Sequence, residues 1–225
     1  MPGFNDVAAV ASYADGPARQ VPGLRDLYKM TGILLAERCG AAADILVLGA
    51  GGGLELHALA EAQPGWHFVG VDPSAPMLNL ARERLGAMNS RIRLVEGLIG
   101  TAPMGPFDGA ICLLTMHFVP RQERLPTLQA LRARMKPGAP LVLAHHSFPQ
   151  DDAGKALWLR RYAAFAVSNG VAEEMTHRAI RAIGDTLPVL SPEEDDAVLH
   201  EAGFTQVQLF YTAFSFRGWV GMNPA

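Results

Sequence analysis

Apolar positions along the chain follow two rhythms. Short strand-like runs recur at Ile45–Leu48, His67–Val71, Arg91–Glu96, Asp108–Leu114 and Leu141–His145. Between them, helical spacing of apolar residues covers 54–62, about 75–87 and 121–135. Brief apolar runs suit strands covered on both faces, and helices between them predict a mainly parallel sheet. Pro64-Gly65 and Lys136-Pro137-Gly138 supply the stops. Ser74 is placed to cap the helix at 75–87. Upstream, Leu24, Leu27, Tyr28, Ile33, Leu34 and Leu35 form a helical stripe over 24–39, while 4–20 has no clear period.

The alternation breaks at 151–186, which reads as two helices, around 153–168 and 171–183. Ser191-Pro192-Glu193-Glu194 starts a further helix, with Ser at the N-cap and Pro at the first helical position, and Gly203 ends it. Thr205–Thr212 and Phe214–Val220 then read as two adjacent closing strands. The expectation is one α/β domain over 1–225, with 1–40 as a helical cap and 151–186 as an inserted lid.

Composition narrows the function classes. Hydrophobic residues make up 49% and charged residues 18% of the 225, which excludes a disordered chain. The net charge of −3 gives no global attraction to nucleic acid or to a membrane surface. No apolar stretch reaches the roughly 18 residues of a spanning helix, and Met1–Asp6 opens no secretory signal. Cys39 and Cys112, both in apolar segments, read as reduced core thiols rather than metal ligands. A cytoplasmic location and no bound metal are therefore expected.

Two strand ends carry the chemistry. Gly49-Ala50-Gly51-Gly52-Gly53 follows the first buried strand and precedes a helix. Such glycines let a ligand approach the backbone and leave N–H groups free for an anion. Asp72 ends the second strand, where a carboxylate accepts hydrogen bonds from both hydroxyls of a ribose. A dinucleotide fingerprint, Gly-x-Gly-x-x-Gly, fails at its third glycine, which is Leu54. The tighter spacing suits S-adenosylmethionine, which has a methionine carboxylate but no phosphate to place.

With Val69-Gly-Val-Asp72-Pro-Ser-Ala-Pro-Met77-Leu78, Phe107-Asp108 and Met135-Lys-Pro-Gly-Ala-Pro-Leu141-Val-Leu143, the chain resembles the class I S-adenosylmethionine-dependent methyltransferases. The resemblance implies a Rossmann-like, doubly wound sheet of seven strands with an antiparallel last strand. Within that superfamily, Arg19-Gln-Val-Pro-Gly23, Thr115-Met-His-Phe118, Leu199-His-Glu-Ala-Gly-Phe204 and Phe210–Phe216 resemble the carboxy-S-adenosylmethionine synthases of tRNA wobble-uridine modification. The chain departs from these patterns at several positions. Val47 and Leu98 stand where the superfamily carries acids, and Leu113 stands where the synthases carry a polar residue. Leu24 follows Val-Pro-Gly, and neither Arg178 nor Arg181 aligns cleanly with the arginine that the synthases need.

The resemblance implies a cofactor set of Gly49, Ala50, Gly51, Gly53, Asp72, Pro73, Met77 and Leu114, with Leu98 and Ile99 sandwiching the adenine. Tyr13 and Arg19 are expected to fold over the cofactor. His117, after the fourth strand, is the candidate general base; the competing reading is a structural histidine. Alternation sends His145 and His146 to opposite faces. Arg160, Arg161, Arg178 and Arg181 read as anion receivers or as a charged outer face. Trp158, Tyr162 and Phe165 form a helical stripe that reads as core or as the contact of a homodimer. The expected activity is methyl transfer to a small molecule. The alternatives are carboxy-S-adenosylmethionine synthesis and a non-catalytic cofactor-binding regulator. Asn-Pro-Pro-Tyr, a motif of amino-group methylation, is absent.

Overall fold

The computed structural model describes residues 16–224. Helices α1 (Gly16–Gln20) and α2 (Leu24–Ala36) lead into β1 (Ala43–Leu48), α3 (Leu54–Ala62), β2 (Trp66–Asp72), α4 (Ala75–Leu85) and β3 (Ile92–Glu96). There follow β4 (Gly109–Leu113), α5 (Arg121–Arg132), β5 (Pro140–His146), α6 (Asp152–Ser168), α7 (Glu173–Arg181), α8 (Pro192–Glu201), β6 (Thr205–Ala213) and β7 (Phe216–Met222). The seven strands stand in the order β3-β2-β1-β4-β5-β7-β6. Strands β1 to β5 pair in parallel, and β7 runs antiparallel between β5 and β6. The chain reverses its order between β1 and β4, so the carboxyl ends of β1, β2 and β4 flank one crevice.

Alternation along β1 builds two cores. Ile45 and Val47 join a cluster with α2, α3, α4 and the inserted α6 on one face. Leu46 and Leu48 join α5 and α8 on the other. Both faces are covered, which is why the strands read as continuous apolar runs. Gly109 in β4 has a packing reason, since a Cβ there would lie 2.9 Å from Leu35 Cδ2 of α2.

Local signals hold at the helix starts. Ser74 Oγ accepts the Met77 N–H, capping α4. Ser191 and Glu194 form a reciprocal capping box on α8. Ser191→Ala is expected to destabilise the fold by about 1 kcal/mol, the usual worth of an N-cap. A urea titration showing no loss would remove the cap from the account.

Several boundaries differ from the sequence reading; the helices expected over 24–39 and 121–135 end at Ala36 and Arg132. The helix expected over 75–87 ends at Leu85 and continues as a 3-10 turn, Gly86–Arg91. The helix expected over 171–183 covers Glu173–Arg181 and widens into a π turn at Ala182–Thr186. The last strand starts at Phe216, because Phe214 turns the hairpin with φ 50°.

The aromatic stripe of α6 is buried at Tyr162 and half-buried at Trp158 and Phe165. Tyr162 is buried against His146 and Phe216 and donates to Gln20 Oε1 at 2.7 Å. Trp158 lies under the guanidinium groups of Arg161 (4.5 Å) and Arg217 (4.8 Å). Phe165 packs near Phe214.

Candidate cofactor and acceptor site

At the end of β1 the chain turns under tight constraint. The N–H groups of Gly49 and Ala50 both donate to Val71 O of β2, at 2.8 and 3.0 Å. Gly49 has φ 82°, and a Cβ there would sit 1.9 Å from Thr115 Oγ1. The loops after β1 and β4 thus meet at a point where only glycine fits. Gly53, with φ 76°, opens α3.

Asp72 ties this loop to the next one. Its Oδ2 accepts the Gly51 N–H and its Oδ1 the Ser74 N–H, each at 2.9 Å. Burial raises its carboxyl above the usual range, and these two bonds oppose the rise. Each oxygen keeps acceptor capacity for a hydroxyl. Gly97 N–H donates to Asp72 O, so the loop after β3 joins the same end of the sheet.

The structure gathers Gly49, Ala50, Gly51, Gly53, Asp72 and Pro73 around one crevice. Ala50 is fully buried and Met77 is 2% exposed, so both sit beneath the loop rather than on an open wall. The pair expected to sandwich an adenine is split. Leu98 is 67% exposed, whereas Ile99 packs against the α5–α8 core. Leu114, partly buried, holds φ 54° at the end of β4 and donates to Ala144 O at 2.6 Å. A non-glycine residue held there is locally strained. Arg19 is exposed on α1, and Tyr13 lies outside the described residues.

Three histidines line the ends of β4 and β5. His117 is buried, and its Nδ1 accepts the His146 N–H at 3.3 Å. Burial, with His146 and His145 nearby, holds its pKa well below 6.5. A neutral ring accepting at Nδ1 carries its proton on Nε2, so it is a donor there and not a base. This geometry corrects the general-base role expected for His117. His146 Nδ1 bonds Ser215 Oγ at 3.0 Å and its ring stacks on Phe216, while His145 turns to the opposite face beside Trp219. The alternation expected of this pair is met.

All three rings stay neutral in the fold, and burial pushes His146 down to about 3. A lowered histidine pKa leaves stability intact above 6.5 and removes it as pH falls from 6.5 toward the folded value, because the unfolded chain then binds the extra protons. Each such ring costs roughly 1 kcal/mol per pH unit in that window. Melting temperature is expected to fall between pH 6.5 and 4.5, and His146→Phe to flatten the fall.

Two features escaped the sequence reading. Arg124 and Asp195, both buried, form an ion pair at 2.6 Å, with His145 Nε2 at 3.7 Å from the same carboxylate oxygen. Glu55, in the first turn of α3, is also buried. The inserted arginines stay outside: Arg160, Arg161, Arg178 and Arg181 are exposed, and Arg178 pairs with Glu174. Leu24, Val47 and Leu113 are all core residues.

A methyltransferase domain family matches residues 46–141. The carboxy-S-adenosyl-L-methionine synthase of Chromohalobacter salexigens is 31% identical, over 98% of this chain and 83% of its own length. The chain belongs to the S-adenosylmethionine-dependent methyltransferase family. The enzyme of the same name from Aeromonas salmonicida is 25% identical to this methyltransferase, over 98% of the chain and 91% of its own length. Among solved structures, an O-methyltransferase family protein from Burkholderia thailandensis superposes with TM-score 0.74 at 16% identity, over 99% of this chain and 62% of that one. Phosphoethanolamine N-methyltransferase 2 of Haemonchus contortus, solved with S-adenosyl-L-methionine, gives 0.72 at 11% identity, over 100% and 61%. The methyltransferase spans about three-fifths of the length of those solved proteins. The seven-stranded sheet with β7 antiparallel is the fold they share, and S-adenosylmethionine is the cofactor. Among the described residues, no helix is long and apolar enough to cross a membrane.

Proposed function

We propose that Gly49–Gly53 and Asp72 hold S-adenosylmethionine, and that the enzyme transfers its methyl group to a small neutral acceptor beside Leu114–His117. The donor set fits the group: Asp72 keeps acceptor capacity for ribose hydroxyls, and the Gly49 cradle admits no side chain. When bound, the cofactor supplies an activated methyl group on a good leaving group. The protein's part is then alignment and exclusion of water. Leu114 and Thr115 shape the floor at the end of β4, and the α6 stripe over His146 and Phe216 closes one side.

The observation that carries a neutral acceptor is the charge state of this wall. His117 and His146 are held uncharged, the arginines of α6 and α7 face away from the core, and the buried Arg217 beside Trp158 donates to Phe214 O and Phe216 O. With His117 a donor, the acceptor loses its proton to solvent without that ring, as an acidic thiol, an acidic hydroxyl or the ammonium form of an amine does.

A second reading is carboxy-S-adenosylmethionine synthesis, favoured by the name that the full-length relatives share. It needs a cation for the added carboxylate, and Leu24 and Leu113 fill with core the positions where the synthases differ. Mass spectrometry of the nucleoside that co-purifies with the native protein separates the readings. S-adenosylmethionine or S-adenosylhomocysteine supports methyl transfer. A species heavier by one carboxyl group overturns it in favour of synthesis. Tight cofactor binding with no turnover across a panel of thiols, amines and phenols points to a regulator.

A further inference from the structure

Glu55 is a buried carboxyl that neither the fold nor the reaction explains. It lies two residues beyond Gly53, in the first turn of α3, and is 9% exposed. The carboxyl folds back onto its own backbone N–H. Its Oε1 has no hydrogen-bond partner and no contact with solvent. The charged groups acting on it from neighbouring elements are Asp72 at the end of β2 and Arg84 of α4, and Cys112 of β4 senses it in turn. Arg84, whose guanidinium donates to Gly52 O, opposes the effect of burial on Glu55 and is the smallest of these influences on it. Burial, with Asp72 nearby, pushes the carboxyl up to about 8. A buried acceptor left open in this way costs stability unless a ligand completes it.

We propose that the Glu55 carboxylate receives the ammonium group at the methionine end of S-adenosylmethionine. This rests on the reading that the glycine loop and Asp72 hold that cofactor. The cofactor carries two cations, and they are not equivalent here. A sulfonium has no N–H or O–H and leaves Oε1 unsatisfied, whereas an ammonium offers three donors and a full charge. Asp72 is already taken up by two backbone N–H groups and the ribose reading, and Glu55, electrostatically coupled to it, is the neighbouring carboxyl with an open acceptor. Because free Glu55 is mostly protonated near neutral pH, binding the ammonium expels its proton, and affinity rises with pH up to about 8.

The test is calorimetry near pH 7 in two buffers of different ionisation enthalpy, with S-adenosylhomocysteine and with 5′-methylthioadenosine, which lacks the amino-acid end. For the native protein, S-adenosylhomocysteine is expected to release about one proton and methylthioadenosine none. Glu55→Gln preserves shape and hydrogen-bonding capacity without the charge. It is expected to weaken S-adenosylhomocysteine about 10- to 100-fold, abolish the proton release and leave methylthioadenosine affinity unchanged. Unchanged S-adenosylhomocysteine affinity in Glu55→Gln, equal weakening of both ligands, or no proton release from the native protein overturns the assignment while the cofactor site stands. Native protein that binds neither ligand overturns the cofactor site and the assignment together.

Discussion

Asp195→Ala is expected to destabilise the protein by about 3–5 kcal/mol, the cost of stranding a buried charge. Arg124 is 1% exposed and Asp195 4%, and their side chains meet at 2.6 Å. The guanidinium also donates to Pro188 O at 2.6 Å and more weakly to Val119 O, so it is held in place and cannot swing to water. Burial already lowers its pKa, and Asp195 is the group that opposes the shift. Removing the carboxylate leaves a fixed, desolvated cation beside His145. For a chain of this size the loss corresponds to a fall of roughly 6–20 °C in Tm. Pairing Asp195→Leu with Arg124→Met is expected to recover most of it, since an apolar pair of similar volume carries no desolvation cost. A single-variant Tm within about 2 °C of the native value would sink the argument.

Asp72→Ala is expected to weaken S-adenosylhomocysteine binding by about 2–4 kcal/mol, or roughly 30- to 1000-fold. Two losses combine. The ribose hydroxyls lose a charged acceptor, and the N–H groups of Gly51 and Ser74 lose the oxygens that set the two loops against each other. Asp72→Asn keeps one carbonyl acceptor and is expected to fall between the native protein and the alanine variant. NAD is expected to bind none of the three, because the third fingerprint glycine is Leu54. Titration calorimetry reads all of this; an unchanged affinity in Asp72→Ala removes the residue from the site.

What the residues made legible is what the backbone demands locally. Continuous apolar runs marked strands because both sheet faces are covered. Ser74 and Ser191 marked helix starts because orphan N–H groups need an oxygen there. The glycines after β1 and the acid after β2 marked the crevice because close backbone approach and a hydroxyl acceptor each admit few residue types. Long-range burial was not legible. Arg124 sits in the run Arg121-Gln-Glu-Arg124 and Asp195 in Glu193-Glu-Asp-Asp196, both of which look like solvated helix faces. Only the packing of α5 against α8 brings one member of each run into the core. Glu55 looked like an ordinary first-turn acid for the same reason. His117 was recognisable as a residue of the crevice, but its protonation depends on a backbone N–H from β5 that no local pattern specifies.

The slot that β7 fills has a consequence for synthesis. Strand β5 is buried along its whole length, yet its outer edge is paired by a segment that begins seventy residues after β5 ends. A ribosome adding roughly 5–20 residues per second leaves that edge open for on the order of 4–14 s. During that interval the nascent chain carries an apolar strand with unpaired backbone groups, able to recruit another copy. The methyltransferase therefore has its greatest need of a chaperone late in translation, after most of its sheet has formed. Nonsense codons that remove 216–222 are expected to yield aggregates rather than a slightly weakened enzyme.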